Sequence, residues 1–303
     1  MMPRALEVCS DELTHIARTP KGLWGWGYSD GGQLGFESDG FGDPTRLTFP
    51  ACPDVAELEA SLPPWEKHRM VTDVSMKGGQ SFILTPVGTV TAGEDAVLFA
   101  GRVEENSYRF NPVAVPTGFV PERVMHDECT VILSMGARQV ISGDNGYGRL
   151  GLGHENEMTG FVDLPFRVDR IMPSSDEFAV YISRRQLLFA GLVGQHIAQT
   201  GLLPDTDFCY TPTPLRFPCS VQAWCCTDLA LVWVCPGQTH FSERYPHRQI
   251  TVPFEATAFA TSEHVVCFQQ PSGQWFETGL QGDVVECCAP EMSYRIDRVQ
   301  FLA

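Results

Sequence analysis

Trp24-Gly25-Trp26-Gly27-Tyr28-Ser29-Asp30-Gly31-Gly32-Gln33-Leu34-Gly35 runs from alternating aromatic and glycine residues into a glycine-rich turn, then closes on Gly-Gln-Leu-Gly. Alternation of this kind suits a strand, and the crowded glycines suit a tight turn after it. The plan returns 116 residues later, Gly27 to Gly143, in Ile141-Ser142-Gly143-Asp144-Asn145-Gly146-Tyr147-Gly148-Arg149-Leu150-Gly151-Leu152-Gly153. Weaker copies stand at Thr91-Ala92-Gly93-Glu94, Phe189-Ala190-Gly191 and Glu277-Thr278-Gly279-Leu280-Gln281-Gly282. Gly27, Gly31, Gly35, Gly143, Gly146 and Gly151 are read as turn positions that need positive φ or close packing. A dinucleotide fingerprint does not fit Gly25-Trp26-Gly27, because its third glycine falls on Asp30 and no helical pattern follows.

Before each such turn lie two short apolar strands. They are Leu6–Cys9 with His15–Ala17, Val74–Ser75 with Phe82–Leu84, and Val124–Met125 with Val131–Leu133. Ile171–Met172 with Val180–Ile182, Val221–Trp224 with Leu231–Trp233, and Ala258–Phe259 with Val265–Cys267 complete the set. Gly27, Gly93, Gly143, Gly191, Ser242 and Gly279 close the repeats at intervals of 66, 50, 48, 51 and 37 residues. A period near 50 with several short strands per unit points to propeller blades, since one small sheet cannot bury both its faces alone. The expected fold is all-β: a single β-propeller domain over residues 1–303, with six recognisable repeats and six or seven blades. The long first interval predicts an insertion at about 52–69. Within it, Pro53–Leu62 carries a helical pattern of Val55, Leu58 and Leu62, ended by Pro63-Pro64. The final stretch, Tyr294–Leu302, is expected to complete the first blade.

The two strong stretches resemble the signature of the regulator-of-chromosome-condensation repeat family, in which a strand enters a glycine-rich turn and then Gly-Gln-Leu-Gly. The resemblance covers nearly the whole chain and implies a propeller that acts by binding other proteins. It also implies an alternative, guanine-nucleotide exchange on a small Ran-like GTPase, the founding member's activity. No loop can be matched to that role residue by residue. His15 and His264 fall near the family's histidine position, which implies a structural hydrogen bond.

The chain carries 21 Lys and Arg against 37 Asp and Glu, a net charge of −16. Such a balance repels phosphate backbones, so direct nucleic-acid binding is not expected, while an acidic face could meet a basic partner. Met1–His15 lacks a basic start followed by a continuous apolar stretch, and Leu229–Cys235 is too short to span a bilayer. An intracellular setting, cytoplasmic or nuclear, follows as the expectation, with the 11 cysteines as reduced thiols. Cys219, Cys225, Cys226 and Cys235 lie within 17 residues, and Cys287-Cys288 is a second adjacent pair. They lack Cys-x2-4-Cys spacing, and adjacent residues on a strand face opposite ways, so these cysteines are read as core filling. No metal and no cofactor are expected.

His126-Asp127-Glu128-Cys129 holds the ingredients of nucleophilic catalysis, but it aligns with the polar turn of other repeats, so no catalytic residue is assigned. Candidate partner-binding residues are Trp65 in the insertion and Glu104, Glu105, Tyr108, Arg109 and Phe110 in the loop from Gly101 to Asn111. Aromatics beside charges on projecting loops are the usual interface anchors. The function expected is a non-catalytic protein-interaction scaffold, or a subunit of a larger complex.

Overall fold

The computed structural model describes residues 1–37, 40–94, 96–101, 108–173, 175–262, 264–278 and 284–299. Glu104, Glu105, Glu263, the stretch from Gly279 to Gly282, Phe301 and Leu302 lie outside them. Six antiparallel sheets organise the described residues. The first holds strands Glu7–Asp11, Thr14–Thr19, Gly22–Tyr28 and Phe41–Arg46. The second has Asp73–Lys77, Gln80–Thr85, Gly88–Gly93 and Asn111–Pro112, and the third has Arg123–Asp127, Thr130–Met135, Arg138–Gly143 and Val162–Asp163. The fourth is built from Arg170–Met172, Phe178–Ser183, Gln186–Leu192 and Phe208–Pro214. Ala223–Cys226, Ala230–Cys235, Gln238–Glu243 and Gln249–Val252 form the fifth; Ala258–Thr261, Val266–Gln269, Trp275–Thr278 and Val284–Cys287 form the sixth. Every sheet is a meander in which strands adjacent in sequence are adjacent in space, the form of a propeller blade. The chain is an all-β propeller protein, as the repeat predicts.

The sheets fall into two compact units: Met1–Asn145 with Asn156–Arg167 holds the first three, and Gly146–Glu155 with Val168–Ala303 holds the others. In the second to fifth sheets the second strand is buried on both faces, which is why it reads as a largely apolar run, whereas Thr14–Thr19 and Val266–Gln269 keep some residues half-buried. In the first unit, Ile83 joins a core with Ile16, Leu23 and Leu34 of the first sheet. Its neighbours Phe82 and Leu84 point the other way, into a core with Val131, Leu133 and Val140 of the third. The second unit repeats the arrangement. Leu231, Trp233 and Cys235 pack with Phe178, Val180 and Ile182, while Val232 and Val234 pack with Phe259, Val266 and Phe268. The period-two alternation of a strand thus feeds two cores at once.

A close contact ends four of the repeats. Gly27, Gly93, Gly143 and Gly191 have φ of 100°, 115°, 139° and 121°. A β-carbon there would lie 2.0 Å from Leu13 O, 2.2 Å from Gly79 O, 2.1 Å from Cys129 O and 2.5 Å from Glu177 O. Those carbonyls belong to the first hairpin turn of each sheet. Strand register corrects one further position: Glu243, not Ser242, stands opposite Ala230, while Gly279 lies outside the described residues. Glu243 is buried and its carboxylate pairs with Arg248 at 2.6 Å, so an ion pair occupies the place of a glycine and the fifth sheet still forms fully.

Among the signature glycines, Gly35 and Gly151 have φ of 70° and 71°. Gly31 and Gly146 are not left-handed. The positive φ falls on their neighbours Gly32 (80°) and Tyr147 (59°), while Gly31 is needed for the approach of Glu94, 3.0 Å from an ideal β-carbon. The insertion forms helix Pro53–Ser61 and a short 3-10 turn, Lys67–Met70, with Val55 buried. The end of the chain departs from expectation. Tyr294–Arg295 pairs with the first strand of the sixth sheet and Asp297–Arg298 with that of the fifth, with Ile296 buried between them. The first sheet already owns a fourth strand, Phe41–Arg46.

Gly143→Ala should cost on the order of 2–3 kcal/mol, because both the φ and the carbonyl contact resist a β-carbon. Gly136→Ala, also at positive φ but with open space around it, should cost roughly 1 kcal/mol. Urea unfolding midpoints of the two variants check the order, and equal midpoints would refute the carbonyl contact as the cause.

Candidate functional site: an acidic, aromatic end of the first unit

The residue after each closing glycine returns its N–H to the same turn carbonyl: Tyr28 to Leu13 O at 3.0 Å, Glu94 to Gly79 O at 3.2 Å, Asp144 to Cys129 O at 3.1 Å. That bond fixes where the chain leaves each sheet, and all three exits lie at one end of the first unit. The signature loop is locked there. Buried Gln33 donates through Nε2 to Thr14 Oγ1 and Tyr28 O, both at 3.2 Å, and Ser81 of the second sheet donates to Gln33 O at 2.6 Å. Leu34 is wholly buried against Gly25, where a β-carbon would sit 2.8 Å from it.

The lock leaves an exposed group outside. The Tyr28 hydroxyl donates to Asp30 Oδ2 at 2.6 Å, which pushes the phenol's pKa up, and Tyr108 donates to Asp30 O at 3.1 Å. Phe41 is 70% exposed with its ring 6.2 Å from that of Tyr28, and Leu13 is 54% exposed in the adjoining turn. Exposed carboxylates crowd the same end: Glu12, Asp30, Glu94, Glu128 and Asp144. Their turns are close, since ideal β-carbons on Gly31 and Gly78 lie 3.0 and 3.1 Å from Glu94 Cγ and Glu128 Cγ. Lys77 spends its charge on Asp127 at 3.5 Å. The arrangement is an anionic surface with apolar anchors, suited to a cationic, partly apolar ligand.

Tyr108 and Arg109 are exposed at this end. Trp65 is 67% exposed but belongs to the opposite end of the first sheet, where Lys67 N bonds Pro20 O of the second hairpin. Phe110 corrects the expectation of an exposed anchor. It is fully buried, 5.2 Å ring to ring from Phe49 and beneath Gly35. The backbone of Asn111–Pro112 joins the second sheet there, and that pairing turns the preceding ring inward. Leu13, Tyr28, Asp30 and Phe41 were not singled out from the sequence. The alternation Trp24, Trp26, Tyr28 along a strand was the available signal for Tyr28.

The His126–Cys129 segment does not converge. His126 meets Ser75 Oγ at 3.5 Å and the edge of Phe82, Asp127 turns to Lys77, and Glu128 faces solvent. In the second unit a disulfide joins Cys219 to Cys235, Cα to Cα 6.2 Å, which overturns the reading of all cysteines as free thiols. The two lie 16 residues apart and are the outer members of the Cys219–Cys235 cluster read as core filling. His240 places a ring nitrogen within 4.8 Å of both sulfurs, stacks on Trp233 and bonds Thr251 Oγ1 through Nδ1 at 3.0 Å.

No family model matches the chain, and no curated protein matches it in sequence. Among solved structures it is similar to human WBSCR16, with 15% identity and a TM-score of 0.56 over 92% of this chain and 77% of that one. It is similar to Prp20p of Saccharomyces cerevisiae, with 13% identity and a TM-score of 0.54 over 95% and 75% of the two chains. The yeast RCC1 (Prp20) bound to Kap60 matches with 13% identity and a TM-score of 0.52 over 88% and 68%. Fold and repeat thus define a β-propeller. Its likeness is to propellers of the RCC1 type, the family whose signature Trp24–Gly35 resembles.

Burial, with Lys77 nearby, lowers the His126 pKa to about 3. The unfolded chain therefore takes up a proton first as pH falls, so the stability held by neutral His126 is full above pH ~6.5 and is lost toward pH 3. At pH 5 the loss should be about 2 kcal/mol. His126→Gln should flatten the decline in urea midpoint between pH 8 and 5 by that amount, and an unchanged slope would refute it.

Proposed function

We propose that the protein is a non-catalytic interaction module that takes a basic segment of a partner protein on the acidic, aromatic end of its first unit. The observation that carries the reading is the meeting of five exposed carboxylates with exposed Leu13, Tyr28, Phe41 and Tyr108 at the ends of neighbouring sheets. Carboxylates of this density speed encounter with Lys- and Arg-rich segments, and the apolar groups supply the short-range energy. The fold relatives fit such a role: Prp20p is described for its binding to Gsp1p and histones, and yeast RCC1 is seen bound to Kap60. The proposed setting is intracellular, cytoplasmic or nuclear. Nucleotide exchange on a small Ran-like GTPase is the second reading, and the likeness of fold to Prp20p is what favours it.

A fluorescent Lys/Arg-rich peptide with one Leu should bind the full chain with steep salt dependence. Glu12→Lys with Glu94→Lys and Glu128→Lys should weaken it at least about tenfold, and Phe41→Ser about fivefold. Equal affinity in all variants would sink the assignment. Release of fluorescent GDP from a panel of small GTPases should stay at the intrinsic rate; acceleration of any of them would favour exchange instead.

A further inference from the structure

One end of the fourth sheet, in the second unit, gathers exposed arginines. Arg170 opens the first strand of the fourth sheet, opposite Ile182. Arg184 and Arg185 form the turn between Phe178–Ser183 and Gln186–Leu192. Arg216 follows Leu215, whose N–H bonds Leu187 O at 2.9 Å, level with that turn. All four side chains are exposed at one end of a single sheet, and none makes an ion pair among the described residues. The nearby Asp169 accepts the Arg184 backbone N–H at 2.8 Å.

Beside the arginines opens a cavity of about 470 Å³. Arg185 and Arg216 stand on its lining, Leu187, Leu215, Phe217 and Val221 supply apolar wall, and no carboxylate lines it. Cys219, on the same lining, is tied to Cys235, which holds that wall in place. The turn has a second oddity. Arg184 and Arg185 have φ of 46° and 70°, a conformation that glycine or asparagine adopts more readily, and the matching turn of the fifth sheet has Gly237. Two arginines in a glycine's conformation are poorly explained by stability, and both are exposed at this end of the sheet.

The geometry points to a binding site for a short acidic peptide that seats one apolar side chain in the cavity and pairs its flanking carboxylates with Arg185 and Arg216. Guanidinium forks match carboxylates in bidentate fashion. A long polyanion is a poorer occupant. Four arginines release few counterions, and the net charge of −16 repels a continuous phosphate chain, whereas a short peptide feels mainly the local field. The site lies in the other unit from the acidic end and takes a ligand of opposite charge, so it stands or falls independently of the proposed function.

The probe is a fluorescein-labelled 12-residue peptide of Asp and Glu around one central Phe, measured by anisotropy on the full chain. Binding should weaken at least about tenfold with Arg185→Gly plus Arg216→Gln, and also when the peptide's Phe becomes Ser. Glycine suits the φ of position 185, so the variant should keep its fold, which a urea midpoint close to that of the unchanged chain confirms. No binding, unchanged affinity in the variant, or tighter binding of a 12-residue oligothymidylate or of phosphatidylserine vesicles would each overturn the assignment.

Discussion

In four of the six sheets a carbonyl oxygen of the first hairpin turn points at the closing glycine, at or next to the end of the third strand, and leaves no room for a β-carbon. The same oxygen accepts the N–H of the residue that follows, at 2.9 to 3.2 Å. Glycine is required for the first contact, and the second contact aims the chain as it leaves the sheet. The elements of the acidic end rest on this constraint, because Tyr28, Glu94 and Asp144 are the residues so aimed. Where a sheet departs from the glycine, as at Glu243, a buried carboxylate and Arg248 fill the space at the cost of desolvating two charges.

The constraint also separates frame from function. Gln33, Ser81 and Leu34 turn inward: Gln33 Nε2 donates to Thr14 Oγ1 and Tyr28 O, Ser81 donates to Gln33 O and Leu34 fills the core, so they hold the loop. The side chains of Tyr28 and Asp30 beside them are left to solvent, where the Tyr28 hydroxyl bonds Asp30 and Tyr108 donates to Asp30 O. A surface made from the leftovers of a tightly held loop is rigid before any partner arrives, which lowers the entropy lost on binding.

Much of the fold was legible because its signals are local. Continuous apolar runs such as Phe82-Ile83-Leu84 mark strands buried on both faces, and the glycine turn repeats at a readable period. Register was less legible. Nothing within Ser242-Glu243 says which residue replaces the glycine, since that is set by the pairing of Ala230 across the hairpin. The site was legible only in part. Tyr108 and Arg109 were found by loop composition, but Phe110 is drawn into the core by the pairing of the next two residues. Cys219 and Cys235 meet through a chain reversal that adjacent-pair spacing does not encode.

The path of residues 294–299 bears on the order in which the chain can be finished. The fifth sheet has its four consecutive strands by Val252, yet the outer edge of Ala223–Cys226 waits for Asp297–Arg298, 45 residues further on. The sixth sheet waits in the same way for Tyr294–Arg295. During synthesis these two edges stand open until residues 294–298 arrive, whereas among the described residues no later strand joins the first four sheets. Open edges invite foreign strands, and the pairing that closes them has a long loop to traverse. The segment Tyr294–Arg298 therefore acts as a latch on the fifth and sixth sheets.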